Sequence, residues 1–351
     1  MALKIMKRFY FLPLYILLAW CISCNTNPYK RDVSSIQVDF EINAFEDDML
    51  DLAQNFSDEK RLAVLEKYPV FFEVFNEQII GIGNSSDSLY RKKLTNYMND
   101  EYVKVMYELT VPVRAQRSDL QKKLHSAFQY YRYYFPENSL PQVCTFIGSI
   151  GRSISTATVD TATEVVGIGA DRYLGADNDI YKELGIENFT RKNMYPEKIP
   201  SDVMRAMAES YFPPQFGDSF FEEDHLLAHM IGNGRYMFFV KSMLPMEHDT
   251  IIWGYSKKQL EFCEQSEREF WKYFVGNNQL LFSSDRMDIK RFTGDGPFTH
   301  AFTRESPARI GQWVGFRIVE SFMKNNPDVT MHDLFAITSA QEIMQRARYN
   351  P

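Results

Sequence analysis

The sequence predicts an α+β protein in which a mostly helical domain surrounds one small sheet, mixed or antiparallel. Three observations support this fold class. Apolar residues recur at helical spacing through most of the chain, and three short β-branched segments occur together between 141 and 170. The 351 residues are 45% hydrophobic, which is enough to bury a large core. Because no repeat and no Pro-, Gly- or Ser-rich linker divides residues 36–351, we expect a single domain there.

Helices are predicted on the N-terminal side of the sheet. The segment S-D-E-K at 57–60 is typical of a helix start, and a second apolar segment runs from Pro69 to Gly81. Between 118 and 134, apolar side chains recur every three or four residues until F-P-E-N ends the pattern. These segments therefore predict helices that precede the first strand.

The middle of the chain predicts the sheet and a loop after it. Its three strand-like segments are P-Q-V-C-T-F-I-G-S-I from 141, S-I-S-T-A-T-V-D from 153 and T-E-V-V-G-I-G-A from 163. The glycines at 167–175 lack the dinucleotide-binding spacing, so we interpret them as a strand edge and turn. In the loop that follows, Asp171, Asp177 and Asp179 are of the type that binds Ca²⁺. They lack the remainder of an EF-hand loop, so we expect solvated side chains.

Helices are predicted again after this loop. Pro200-Ser201-Asp202 is interpreted as a helix start, and residues 225–240 and 257–273 continue the helical pattern. Ser306-Pro307 predicts the start of a helix to about 323, in which Gly311 and Gly315 share one face and allow close approach. A capping box at 339–342 predicts a last short helix.

The N-terminus predicts an exported lipoprotein. Three basic residues between 4 and 8 precede F-Y-F-L-P-L-Y-I-L-L-A-W, an apolar run typical of a signal peptide and too short to span a bilayer. The I-S-C that follows resembles a bacterial lipobox, so residues 1–23 are the predicted signal peptide and Cys24 the predicted acylation site. The alternative is an ordinary signal peptide with an incidental cysteine. The polar residues 24–35 are predicted to be a flexible tether.

Charge and cysteine content limit the classes of partner. The formal net charge is −7, and removal of the basic signal peptide makes it more negative. An acidic chain without a basic stripe argues against nucleic acid as a partner, and against direct binding of its surface to anionic lipid. Cys144 and Cys263 could pair in an exported protein, although their spacing in sequence does not decide this.

The segment D-H-L-L-A-H at 224–229 is a candidate metal site. His225 and His229 have the spacing that places two imidazoles on one helical face, and Glu222, one turn earlier, could be a third ligand. However, Leu226 stands where peptidases of this pattern carry their general base. Three hypotheses remain: structural or partner-facing histidines, a structural metal, or a catalytic metal. We expect the first, because the intervening apolar residues form a core stripe.

Several motifs together resemble a known family. In order they are F-E-I-N-A-F-E-D-D, K-Y-P-V-F-F-E-V-F, G-I-G-A-D-R-Y-L-G-A-D-N-D-I-Y, H-L-L-A-H-M-I-G-N-G-R-Y-M-F-F, S-P-A-R-I-G-Q-W-V-G-F-R-I-V and A-R-Y-N-P. This order resembles the gliding-motility lipoprotein GldB family of Bacteroidetes over almost the whole chain. The resemblance implies a membrane-anchored lipoprotein that supports gliding motility and the associated type IX secretion machinery. It also implies partners among those proteins, besides the bilayer, and a position facing the periplasm, on either membrane.

That family is in turn distantly similar to predicted zincin-type peptidases. The resemblance places the first zincin helix at 204–211, which contains no histidine, and puts Asn233 at the acidic position of the second. It therefore implies a degenerate zincin-like scaffold that binds no cofactor and is not an enzyme. Its possible groove or docking residues are Asp171, Asn233, Arg309 and Arg317, between an edge strand at 165–175 and the 306–323 helix. Buried ion pairs explain the two arginines equally well. The alternative function is a zinc-dependent peptidase, or a peptide-binding pseudo-peptidase of the zincin type.

Overall fold

The computed structural model describes residues 27–351 except 149, 152, 160, 161 and 278. Four strands form one sheet: β1 (Ile42–Ala44), β2 (Gln142–Phe146), β3 (Ile154–Val159) and β4 (Ala162–Gly169). Their order is β1-β2-β4-β3; β1, β2 and β4 are parallel, and β3 is antiparallel to β4. The sheet is therefore mixed, and the predicted α+β class is confirmed.

Helices make up most of the chain. They are α1 (Phe45–Gln54), α2 (Asp58–Lys67), α3 (Phe71–Val74), α4 (Tyr90–Asn99), α5 (Glu101–Leu109), α6 (Val111–Ala115), α7 (Arg117–Tyr134), α8 (Asp179–Glu183), α9 (Asn188–Arg191), α10 (Ile199–Tyr211), α11 (Leu226–Met243), α12 (Asp249–Trp253), α13 (Lys257–Gly276), α14 (Arg286–Thr293), α15 (Ile310–Asn325), α16 (Met331–Ala336) and α17 (Ala340–Ala347). A π-helical turn (Phe75–Ile79) extends α3, and 3₁₀ turns lie at Ala170–Arg172, Pro196–Lys198 and Leu280–Phe282.

The sheet lies between two helical layers because its side chains alternate between two apolar faces. On one face, Cys144 and Phe146 of β2 pack with the aromatic side chains of α1 and α3. On the other, Val143 of β2 joins the main core, which also contains Val166 and Ile168 of β4. Residues from α7, α10, α11 and α15 contribute to this core. Burial on both faces explains why the strands are short and rich in apolar residues.

The main core is built on α11 and α15, whose backbones touch. A Cβ atom on Gly234 of α11 would lie 2.6 Å from the backbone nitrogen of Phe316 in α15. A Cβ atom on Gly311 would lie 2.8 Å from the carbonyl oxygen of Phe292. Both distances are shorter than real Cβ contacts, so only glycine fits at these positions. The close approach predicted for Gly311 and Gly315 is therefore confirmed.

Two sequence-based placements are wrong. The segment at 165–175 is not an edge strand, because β4 is bonded to β2 on one side and to β3 on the other. The edge is β3. The helix predicted from Ser306-Pro307 begins at Ile310, because the carbonyl of Pro307 accepts hydrogen bonds from Thr299 (N, 3.0 Å; Oγ1, 2.9 Å) and Arg309 turns the chain with a φ of +63°.

The segment predicted to be a tether packs against the domain from residue 27 onward. Tyr29 and Val33 are buried in the main core. The signal peptide and Cys24 lie outside the described residues. In the part of the chain that the structure describes, no helix combines the length and apolar composition needed to cross a membrane. Cys144 and Cys263 are both buried free thiols, so they do not form a disulfide.

Candidate functional site

His225 is the N-cap of α11. Its backbone is extended (φ −140°), and its Nδ1 accepts a hydrogen bond from the backbone N–H of Ala228 at 3.2 Å. A side-chain acceptor at this position satisfies one of the free N–H groups of the first turn. The Nε2 atom is buried, and none of the described residues bonds to it. Burial lowers the pKa of His225, which favours the neutral ring that can accept this bond.

His229 and Glu222 each have a different partner. The Nε2 of His229 lies 2.8 Å from Oδ1 of Asp224, whose carboxylate also binds Arg286 at 2.8 and 3.2 Å. The hydrogen bond from His229 is the main cause of the lowered pKa of Asp224. Glu222 accepts a hydrogen bond from Thr338 at 3.1 Å. Among the described residues, no three His, Cys, Asp or Glu side chains are grouped closely enough to hold a metal ion.

A polar cavity of about 300 Å³ lies elsewhere, beside the edge of the sheet. Its walls come from the start of β3, the 3₁₀ turn after β4, α10, α11 and α15. The charged and polar lining residues used below are Lys198, Asp202, Arg205, Glu209, Arg309 and Gln312. We take this cavity as the candidate functional site because it is concave and several polar side chains converge on it; its lining is more polar than that of most small-ligand sites.

One wall of the cavity holds a partly buried ion pair. The Nζ of Lys198 donates to the carbonyls of Ile251 (2.8 Å) and Ile252 (2.9 Å) and lies 3.5 Å from Oδ1 of Asp202. Asp202 accepts a hydrogen bond from the hydroxyl of Tyr173 at 2.9 Å. Burial raises the pKa of Asp202 and lowers that of Lys198. Lys198 also connects the start of α10 to the end of α12, which makes this wall rigid.

A second wall is held by Arg205 of α10. Its Nη2 donates to Oδ1 of Asn233 in α11 at 2.9 Å, and its Nε donates to Glu209, one turn further along α10. The amide nitrogen of Asn233 donates to the carbonyl of His229 at 2.9 Å, which fixes the orientation of the Asn233 side chain. The guanidinium lies 5.1 Å from the ring centre of Tyr236. Arg205 therefore joins two core helices at the cavity surface.

Arg309 and Gln312 close the cavity on the side of α15. Arg309 donates to the carbonyl of Trp253 at 2.7 Å, and its Nε lies 3.2 Å from Asp295 rather than beside Glu305. Gln312 is 7% exposed and donates to the carbonyl of Thr293 at 2.6 Å. Its Oε1 is buried, and no described residue donates to it. An unpaired buried acceptor is costly, so a donor that reached this atom would be stabilising.

The four predicted groove residues are not brought together. Arg309 lines the cavity. Asn233 does not line it but accepts a hydrogen bond from Arg205, which does. Asp171 is fully buried, where its Oδ2 accepts hydrogen bonds from the backbone N–H groups of Gly148 (3.0 Å) and Ile150 (2.7 Å). Arg317 lies apart in a network with Glu267 and Glu320. Sequence reasoning did not select Lys198, Asp202, Arg205 or Gln312, because charged and polar residues are ordinary in and beside amphipathic helices.

The cavity suits binding of a polar ligand. Guanidinium groups offer fixed donors, and Gln312 carries an acceptor that has no partner among the described residues. A sequence model of the family described as gliding motility protein GldB matches residues 26–351. The chain belongs to the GldB family. A role in gliding motility follows from this membership. The match to the GldB model begins at residue 26, just before the first described residue. Neither the curated proteins nor the solved structures contain a match to this GldB chain.

Proposed function

We propose that this protein is a lipoprotein, anchored through Cys24 on the periplasmic side of a membrane, that supports gliding motility and type IX secretion as a non-catalytic scaffold. The family match supports the motility role, and the basic, apolar and I-S-C order of the N-terminus supports the anchor. Two or more acyl chains give stable membrane attachment without a spanning helix.

The polar cavity is the proposed docking site of this scaffold. The Arg205–Asn233 hydrogen bond is the observation that carries the proposal. The resemblance to zincins implies metal ligands on the helices that carry these two residues. Here a guanidinium, which is positively charged and accepts no metal, joins the two helices instead. Its remaining N–H groups and the free Oε1 of Gln312 suit recognition of a polar group on a partner.

The first experiment tests the motility role and the cavity together. A strain that lacks the gene is complemented with the wild type, Arg205→Met or Arg268→Met, where Arg268 is an exposed residue of α13. Colony spreading and secretion of an outer-membrane cargo are measured, together with the amount of each lipoprotein. We expect the deletion and Arg205→Met to reduce both activities, and Arg268→Met to restore them. Full activity of Arg205→Met at normal abundance would remove the cavity from the mechanism.

The second experiment tests the anchor and the competing metallopeptidase. Metabolic labelling with a clickable palmitate analogue should mark the wild type and not Cys24→Ser; equal labelling of both contradicts the anchor. Elemental analysis of the purified protein should find no stoichiometric zinc. About one zinc per chain, lost together with motility in the double variant His225→Ala/His229→Ala, would restore the enzyme hypothesis, since a catalytic zinc needs three protein ligands.

A further inference from the structure

The first described residues are fixed to the domain surface. The amide nitrogen of Asn27 donates to the carbonyl of Pro245 at 2.7 Å. Tyr29 is 8% exposed, packs against Phe238 at a ring distance of 5.6 Å and donates its hydroxyl to Glu320. These contacts hold the chain from residue 27 onward against the turn that follows α11.

Little chain separates this fixed point from the proposed anchor. Three residue steps join Cys24 to Asn27, and an extended chain spans at most about 3.6 Å per residue, so the two lie within about 11 Å. The headgroup region of one leaflet is itself about 6 Å thick, by difference between the whole bilayer and its hydrocarbon core. An acylated Cys24 at the boundary of the hydrocarbon therefore leaves Asn27 at the membrane surface.

We infer that the turn at 244–248 is the membrane-facing surface of this protein, and that Met246 contacts the lipid headgroup region. This inference rests on the proposed acylation of Cys24. Met246 is 73% exposed and directly follows Pro245, the residue that holds Asn27. Exposed Lys30 and Arg31 adjoin exposed Asp32, and the turn itself carries Glu247, so charges of both signs lie at this surface.

A matched control position lies at the opposite end of α11. Helix α11 has 18 residues, so its ends lie about 27 Å apart. Met246 follows its C-terminal end, whereas Met287 lies beside its N-terminal end. There, Leu226 donates to the carbonyl of Ser283 at 2.9 Å, and Arg286 binds Asp224. Met287 is 67% exposed, close to the value for Met246. The two methionines therefore differ in position rather than in accessibility.

The experiment measures thiol accessibility in the lipidated protein. Met246→Cys and Met287→Cys are each made in the full chain, purified as mature lipoproteins and placed on preformed vesicles of phosphatidylethanolamine with a minority of phosphatidylglycerol. A membrane-impermeant maleimide of high mass then labels the exposed thiols. The native Cys144 and Cys263 are fully buried and do not compete. The reference for each variant is the same lipoprotein with about 15 Gly and Ser residues inserted before Asn27, a flexible spacer of about 20 Å.

We expect Met246→Cys to react severalfold more slowly than its reference, which carries the inserted spacer. Met287→Cys should react at the same rate with and without that spacer. Equal rates for Met246→Cys with and without the inserted spacer, measured on protein that carries the palmitate label, would overturn the proposed orientation but not the proposed anchor. Slower labelling of Met287→Cys alone places the opposite end on the membrane and also overturns it. Absence of the palmitate label would contradict the proposed anchor itself. This separate result would also remove the basis of the orientation.

Discussion

Gly315 of α15 lies directly against the carbonyl group of Met230 in α11. A Cβ atom on Gly315 would overlap that carbonyl oxygen and would lie 3.1 Å from the backbone nitrogen of Ile231. The neighbouring atoms belong to a helix backbone, which cannot move aside as a flexible side chain can. The contact between these two helices, at the centre of the main core, therefore depends on the absence of one methyl group.

Gly315→Ala should lower the free energy of unfolding by about 3 kcal/mol, because the two helices must separate to admit the methyl group. Gly276→Ala is the matched control: Gly276 ends α13, and a Cβ atom there would meet nothing within 4 Å. It should be neutral or slightly stabilising, by about 0.5 kcal/mol. Urea unfolding followed by circular dichroism measures both. Similar stabilities of the two variants would contradict the backbone contact.

Arg235 should be essential for stability, although no acidic side chain among the described residues forms an ion pair with it. Its Nη1 donates to the carbonyls of Leu334 (3.3 Å) and Ile337 (3.2 Å), and its guanidinium lies 4.2 Å from the ring centre of Phe221. Burial lowers the pKa of Arg235 to about 10, which leaves the side chain charged at neutral pH. Arg235→Met should lower the free energy of unfolding by about 3 kcal/mol, because buried carbonyls lose a charged donor.

The control for this variant is Arg268→Met, on the exposed face of α13, which should change stability by less than about 0.5 kcal/mol. Thermal unfolding at neutral pH compares them. Arg235→Lys should not restore stability, because an ammonium group cannot reach several carbonyls as a planar guanidinium does. Recovery with lysine would mean that charge alone matters there.

Asp171 should make the protein less stable as pH rises. Burial raises its pKa above the ordinary value of 3.8, despite the hydrogen bonds from Gly148 and Ile150. A group with a raised folded-state pKa stabilises the fold fully below its unfolded pKa, and that contribution is lost as pH rises through the folded-state pKa. Asp171→Asn keeps an acceptor oxygen but does not titrate. Relative to this variant, the wild type should lose stability as pH rises from about 4 through the raised folded-state pKa.

Urea unfolding of both proteins across that range provides the measurement. A constant difference between the wild type and Asp171→Asn would show that the carboxyl titrates alike in the folded and unfolded chain. Asp171→Ala gives the complementary information, since it leaves two buried N–H groups without an acceptor. Relative to Asp171→Asn, it should cost about 2–4 kcal/mol at every pH.

His225 should act as a helix cap rather than as a ligand. His225→Ala should cost about 1 kcal/mol, and His225→Asn should recover most of it, because Asn is among the best N-cap residues. The lowered pKa of His225 adds a pH dependence: its contribution is present above the ordinary value of 6.5 and is lost as pH falls through the lower folded-state pKa. Thermal unfolding of the three proteins tests this, and no recovery with Asn contradicts the capping role.

The sequence predicted those elements whose pattern is local. The helix expected from 118 to 134 is observed at Arg117–Tyr134, and the three expected strands are β2, β3 and β4. Strand β1 was not predicted, because its three residues become a strand only by pairing with β2, about a hundred positions later. The order of strands depends on the same long-range pairing, which explains why β4 was placed at the edge.

The candidate site was predictable only in part, for a similar reason. Arg309 and Asn233 were both selected from the sequence. Arg309 lines the cavity, and Asn233 is hydrogen-bonded to Arg205 in its wall. The partner of Arg309 is Asp295, which belongs to a loop before α15 and has no helical spacing to Arg309. Lys198 and Asp202 look like an exposed i,i+4 pair in sequence. Lys198 is buried only because the 3₁₀ turn before α10 packs against α12, and Asp202 stays partly exposed beside it.

The N-terminal segment also sets an order for folding. Tyr29 binds Glu320, and Ile42 pairs with Val143, so both contacts close long loops in the chain. Long-range contacts form late, because loop entropy must be overcome before they contribute. The surface that receives Tyr29 is complete only when α15 has packed. We therefore expect the segment around Tyr29 to pack last, so that, on the proposed anchor, the domain reaches the bilayer surface in its final folding step.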